Sequence, residues 1–580
     1  MNPSEHAAIT GWGGALPPAV RSNDDHSTGS ESSDEWIDRD RSVDRRRGRL
    51  RAPPRRVAHP MRTAHLLRAV ALLSVALPLQ PLPAQLAPAP GTTASVVTRA
   101  DLALAYLAFD RAFTDHPPTA DRLGRVSQAF DQATLAFFGG RNADAVRAIH
   151  TVTQAVIAPT EPAGVSRFAI RATVEPHVFR RGSLVTPTLR VVPLYAITDS
   201  TRGQQPTTFR VTIVSDAGRS LATELVAVEA GALPGRTIER SLPAGVIDAS
   251  KGRYRVFVSV DADGPTTPVA TSPTGIAASE WFVTDDDLDA KREEFAKRAG
   301  PLDTIVPPAL TDAIATLKAR IRLLTTRPSP LNTTVWRANP LALVQQLERE
   351  LQLMMVGVDP YVNASGSLWQ VIRTPTRSIP VRTWVPVPVA RARAAAPLLI
   401  AIHGVGGDEN MFPDALGAGQ LQALADTHGF VVASPNGDLF SSAEDFDRLV
   451  EMVAAQLPID RSRIWIIGHS RGAGQALALA AARRSAIAGV VCIAGFGRVS
   501  PDRPVASTLV ILGELDPLAQ PARILPLVQE ARAAGAPVES EVLPLYGHTT
   551  VVNAALPTAV RWLLPRTLPR TLPPASPDRR

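Results

Sequence analysis

Residues 464–480 read IWIIGHSRGAGQALALA. Ile464–Ile467 is a short, wholly apolar run, the pattern of a strand buried on both faces. Gly472–Arg483, rich in Ala and Leu, follows at helical length. Between them, Gly468-His469-Ser470-Arg471-Gly472 places a serine between two glycines at the junction of strand and helix. Glycines allow a sharp turn there and let the helix approach closely, so the serine hydroxyl is lifted above the edge of the sheet. The amide of Arg471 then lies at a helix N-terminus, where it can stabilise an oxyanion.

Working outward, the same alternation extends over residues 365–565. Strands are expected at Val381–Val385, Pro397–Ile402, Phe430–Ser434, Arg463–Ile467, Gly489–Ile493, Thr508–Leu512 and Glu539–Leu543. Helices are expected between them at Gln420–Thr427, Ala443–Leu457, Gly472–Arg483, Pro521–Ala534 and Thr549–Leu564. Short buried runs alternating with helices imply a mostly parallel sheet covered on both faces. Ligands of such sheets gather at the carboxyl ends of the strands.

The residues at those ends form a chemical set. A serine hydroxyl needs a base, and the base needs an acid to orient it. Asp516 follows Thr508–Leu512 in GELDP, and His548 follows Glu539–Leu543 in LYGHT. The order Ser470, Asp516, His548 is the hydrolase order rather than that of the chymotrypsin or subtilisin folds. Glu514 is the alternative acid; His403, His428 and His469 are weaker base candidates because none follows the last strand. After Pro397–Ile402 the chain reads His403-Gly404-Val405-Gly406-Gly407-Asp408, whose glycines let the backbone approach a substrate. The amides of Val405 or Gly406 are therefore candidates, with that of Arg471, for the oxyanion hole. This chemistry calls for no metal and no organic cofactor.

IAIHGVGGDENMF, THGFVVASPNGD, IWIIGHSRGAGQALALA, LVILGELDP and YGHTTVV together resemble the α/β-hydrolase family, in the branch of polyhydroxybutyrate-depolymerase-like, feruloyl-esterase-like and dienelactone-hydrolase-like proteins. The resemblance implies a carboxylic-ester hydrolase with Ser470 as nucleophile, His548 as base and Asp516 as orienting acid. Arg471 departs from the small or polar residue usual after the nucleophile, and an anionic substrate is one expectation for it. Two rival functions remain: a serine peptidase of the prolyl-oligopeptidase kind, and a secreted binding protein with an inactive hydrolase domain.

The preceding residues divide by their period. Residues 97–157 hold three amphipathic helices: one capped by Thr98 with Asp101, one from about Thr119 to Phe138, and one carrying Val146, Ile149, Val152 and Val156. Their apolar faces read as packing surfaces. Over 166–285 the period becomes two, with strands expected at Arg167–Glu175, Leu189–Tyr195, Thr207–Ser215, Leu221–Glu229, Arg236–Leu242, Arg253–Asp261 and Glu280–Thr284. Short strands with polar turns suggest an immunoglobulin-like β-sandwich. Asp261-Ala-Asp263-Gly264 reads as a hairpin turn rather than a calcium loop, and Asp285–Asp287 as an acidic helix start rather than a metal site. Residues 286–358 form a helical connector. Too few residues separate Ile493 from Thr508 for an inserted lid, so an open site suited to an extended or polymeric ester is expected.

The chain has 580 residues and a net charge of +7, with 61 basic residues of which only four are lysine. The charge is not in the body. Residues 1–84 carry +3 and residues 561–580 carry +4, leaving residues 85–560 neutral. A neutral body offers nucleic acid no electrostatic footprint. Residues 1–60 read as a disordered leader. Met61, Arg62, Arg68, the apolar Ala69–Leu77 and Leu82-Pro83-Ala84 have the layout of a signal peptide over 61–84, so a start at Met61 and a secreted or periplasmic product without a stable membrane anchor are expected. The alternative is a cytoplasmic tail before a short anchor. Residues 566–580 read as a flexible tail, and the lone Cys492 as a small buried hydrophobe.

Overall fold

The computed structural model describes residues 97–159, 167–197, 205–243, 246, 249–260, 277–325, 339–392 and 394–568. The leader, the signal-peptide pattern, the Asp261–Gly264 turn and the tail beyond residue 568 lie outside the described residues.

Three helices come first: α1 (Arg99–Asp115), α2 (Ala120–Phe138) and α3 (Asn142–Ile157). Thr98 and Asp101 close a reciprocal capping box on α1, which satisfies donors the first turn would otherwise leave open. Eight strands follow: β1 (Ile170–Glu175), β2 (Val178–Arg180), β3 (Thr188–Pro193), β4 (Thr207–Ser215), β5 (Ser220–Val228), β6 (Ile238–Ser241), β7 (Gly252–Val260) and β8 (Ser279–Thr284). They form two sheets, β1-β3-β6 and β2-β8-β7-β4-β5. Alternate residues such as Val174, Val191, Phe209, Val211, Val226 and Trp281 point into one shared core. Asp287 caps the next helix by accepting the Ala290 amide at 3.0 Å, so the acidic run ends at the N-cap and the acid within the first turn is Asp289.

The connector supplies α4 (Leu288–Ala299), α5 (Thr311–Leu323) and α6 (Pro340–Met355). Leu317, Leu347 and Leu351 pack with Phe282 on one side and with Trp369 and Val371 on the other. The connector is thus a third core joining the β-rich part to the last sheet.

That sheet has eight strands: β9 (Gly366–Arg373), β10 (Ser378–Val385), β11 (Ala396–Ile402), β12 (Val431–Pro435), β13 (Ile459–His469), β14 (Gly489–Ile493), β15 (Thr508–Gly513) and β16 (Val538–Leu543). Their spatial order is β16-β15-β14-β13-β11-β12-β10-β9. Only β10 runs against its neighbours. The interleaved helices are α7 (Gln420–His428), α8 (Ala443–Gln456), α9 (Arg471–Ala482), α10 (Pro521–Ala533) and α11 (Val551–Leu563). One face of the sheet packs on α8, α9 and α10. The other packs on α7 and α11 and, in the same continuous core, on α1, α2 and α3. Residues 366–563 therefore adopt the α/β-hydrolase architecture expected from the motif. The N-terminal helices are part of its core rather than a unit standing apart.

Candidate active site

β13 ends and α9 begins around Ser470, whose backbone takes φ 56° and ψ −120°. That left-handed turn is rare for a residue with a Cβ, and it marks stored strain. Close packing maintains it: a Cβ on Gly472 would lie 2.2 Å from the Ile402 carbonyl oxygen of β11. The Ser470 amide donates to the Ile493 carbonyl at 2.9 Å, fixing the elbow against β14.

The structure brings the three expected side chains together. His548 Nε2 lies 2.9 Å from Ser470 Oγ. Its Nδ1 donates to Asp516, 2.9 Å from Oδ2 and 3.0 Å from Oδ1. Asp516 Oδ1 also accepts the amides of Leu518 and Ala519, both at 2.8 Å, so the carboxylate is oriented by its own loop. Asp516 and His548 are buried. Ser470 is half-buried and faces a pocket.

The other candidates have different tasks. Glu514 is exposed and accepts the Leu545 amide at 3.0 Å. His469 donates from Nε2 to the His548 carbonyl at 3.0 Å, and burial followed by the nearby His548 pushes its pKa down to about 3. His428 sits in the last turn of α7. His403 donates from Nδ1 to the Gly404 carbonyl at 2.7 Å and accepts the Gly437 amide at Nε2, also 2.7 Å, which braces the glycine loop.

Arg471 is the first residue of α9, so its amide has no acceptor within the helix. Its guanidinium bonds Asp438. Gly404 and Val405 both line that pocket. Gly406 is not among the lining residues, which favours Val405 of the two glycine-loop candidates. A buried network steadies this loop: Arg382 donates to Asn410 at 2.7 Å and to Asp414 at 3.2 Å. Trp369 Nε1 donates to Glu409 at 2.9 Å.

The pocket over Ser470 is walled by Leu102 and Tyr106 of α1, Phe130 and Phe137 of α2 and Ile149 of α3. No lid interrupts the β14–β15 link; the cover arrives instead from the chain's N-terminal helices.

Sequence reasoning passed over Asp131 of α2, whose Oδ1 accepts the His548 backbone amide at 3.1 Å. A signal was present: Ser127 and Asp131, one turn apart, interrupt a face otherwise made of Val126, Phe130, Ala133 and Phe137, and both are buried. Buried polar pairs on an apolar face require partners. Cys492 is buried as expected, and burial pushes its thiol up to about 12. Among the described residues no group of three or more His, Cys, Asp or Glu is placed to hold a metal ion.

No family model matches the chain. Over 32 residues it is 69% identical to the β-ketoacyl-[acyl-carrier-protein] synthase III 2 proteins of two Vibrio vulnificus strains, a stretch that is 6% of this chain. The chain spans 9% of the length of these curated relatives. Similar solved structures include an S-formylglutathione hydrolase from Staphylococcus aureus, at 14% identity and TM-score 0.30 over 34% of this chain and 98% of that one. A ferulic acid esterase aligns at 14% identity and TM-score 0.31 over 35% of this chain and 99% of that one. A thermostable esterase aligns at 20% identity and TM-score 0.28, over 35% and 63%.

Proposed function

We propose that this chain, an α/β-hydrolase over residues 366–563, is a serine hydrolase that cleaves carboxylic esters through an acyl-enzyme. The observation that carries the reading is the unbroken run of contacts from Ser470 Oγ to His548 Nε2 and from His548 Nδ1 to Asp516, each about 3 Å. In this mechanism His548 takes the Ser470 proton as the oxygen attacks the ester carbonyl, then returns it to the leaving alcohol. Asp516 keeps Nδ1 protonated and Nε2 facing the serine. The amides of Arg471 and Val405 receive the developing oxyanion, and water releases the acyl group in a second passage through the same steps.

The apolar side chains that wall the pocket support an apolar acyl group, with any extended portion of the substrate on the alcohol side. Two sheets sharing one core support reading residues 166–285 as an immunoglobulin-like sandwich. A secreted or periplasmic product rests on the leader pattern over 61–84.

Incubation with a fluorophosphonate probe and with p-nitrophenyl esters against aminoacyl amides of matched size tests the reading. Labelling and ester turnover in the full chain, both lost in Ser470→Ala, are expected. A folded wild-type protein that neither labels nor turns over would favour the binding-protein alternative, and faster amide than ester turnover would favour the peptidase.

A further inference from the structure

The loop that carries His548 is held from a helix more than 400 residues earlier in the chain. Asp131 accepts the His548 amide, with its two oxygens at 3.1 and 3.4 Å. One turn back on α2, Ser127 Oγ lies 2.9 Å from Thr550 Oγ1, and Thr550 Oγ1 accepts the Gly547 amide at 3.0 Å. A Cβ on Gly547 would stand 2.0 Å from Asp131 Oδ2, so the loop and the helix fit only with glycine at that position. Beyond the loop, Asn553 Nδ2 donates to Thr114 Oγ1 at the end of α1 at 3.1 Å. Three polar ties thus bind Gly547–Asn553 to the N-terminal helices.

We propose that Asp131 is a positioning residue for the catalytic histidine, and that α1 and α2 are a working part of the site as well as its cover. The proposal rests on the triad reading above. A buried hydroxyl or amide would accept the His548 N–H as well as a carboxylate does, at a lower desolvation cost. What a carboxylate adds is negative charge close to the imidazolium that forms when His548 takes the Ser470 proton.

Asp131 is buried and borders a cleft lined also by Arg125, Gln128, Gln132, Leu515 and Pro517. The groups that face it are His548 and Asp516 from the catalytic loops, Tyr106 from α1 and Arg125 from its own helix. Burial is the largest influence on its carboxyl and raises it to about 7, with His548 opposing and Asp516 adding to the rise. Charge on Asp131 therefore appears near neutrality, and its assistance to His548 grows as pH rises through that value.

The test uses the full chain and p-nitrophenyl acetate, with fluorophosphonate labelling as the measure of serine reactivity. Asp131→Asn keeps an oxygen to accept the His548 amide and removes the charge. It is expected to leave KM within about two-fold, lower kcat by about ten-fold and shift the pH dependence of kcat that His548 imposes. Asp131→Ala removes both and is expected to lower kcat by up to about 100-fold, the range for a lost hydrogen bond to a charged group. Wild-type kcat and pH profile in folded Asp131→Asn would overturn the proposal while leaving the triad reading in place, whether or not Asp131→Ala folds. Absence of labelling and turnover in the wild type would overturn both.

Discussion

Glu514 and Asp516 stand two residues apart after the same strand, and only Asp516 reaches the histidine. Asp516 is turned inward by the amides of Leu518 and Ala519, whereas Glu514 turns outward to the Leu545 amide. Asp516→Asn should lower kcat by about 10,000-fold through loss of the correct histidine tautomer. Glu514→Gln should leave kcat within about two-fold of wild type, since an exposed side chain away from the histidine contributes no transition-state contact. Steady-state kinetics on both variants checks the assignment; the reverse pattern would make Glu514 the orienting acid. Asp131 carries a separate prediction about stability. Its folded carboxyl titrates near 7, above the unfolded 3.8, so the folded state binds the extra proton and loses stability as pH rises between these values. Asp131→Asn removes that loss. Its melting temperature relative to wild type should therefore climb from pH 5 to pH 8, by an amount equivalent to a few kcal/mol at most. A difference independent of pH would show that Asp131 does not titrate in this range. At this scale the set of Ser470, His548 and Asp516 that meet in the structure was legible because each follows an apolar strand within a few residues. Asp131 was not, because one acid among the 54 acidic residues gains meaning only from the loop it meets.

At the scale of elements, α2 is both core and wall. Phe137 packs in the core that joins the helices to the sheet and also lines the Ser470 pocket. Phe137→Ala should widen the acyl side and move the preferred p-nitrophenyl ester toward longer chains, at a stability cost of about 3 kcal/mol. An unchanged chain-length profile in the folded variant would mean that the acyl group lies elsewhere. The glycine loop makes a comparable demand on Arg382, which is wholly buried between β9 and the loop. Arg382→Ala leaves Asp414 and Asn410 without their cation and should cost about 3–5 kcal/mol, read as a lower denaturation midpoint. β11, β14 and the Ile464–Ile467 half of β13 were legible because strands buried on both faces of a parallel sheet read as continuous apolar runs. β9 escaped notice because Ser367 and Gln370 break its pattern; both are buried, bonded to Arg382 and Gln456 respectively. The helices α1–α3 were legible as helices, but their destination was not. A period of 3.6 marks an apolar face without naming the surface that covers it.

Over the whole molecule, one continuous core runs from Val97 in the N-terminal segment to Leu563 in α11. The helices and the sheet should therefore unfold in one calorimetric transition, with backbone amides of α2 protected to the same free energy as those of β14. An earlier, separate transition for residues 97–157 would contradict this. The net charge divides differently from the core. It resides in residues 1–84 and 561–580, while residues 85–560, which include Ser470, Asp516 and His548, are neutral. Catalysis on an uncharged ester should accordingly vary little with salt.

A chain made from its N-terminus meets these partners in an awkward order. Ser127 and Asp131 leave the ribosome more than 400 residues before Thr550 and His548, a wait of roughly 20–80 s at about 5–20 residues per second. For that interval the Phe130 and Phe137 face has no sheet to cover it. Nascent chains that stall before residue 551 should therefore be captured by holdase chaperones or aggregate, while completed chains are released. The wall of the pocket is made first and finds its place last.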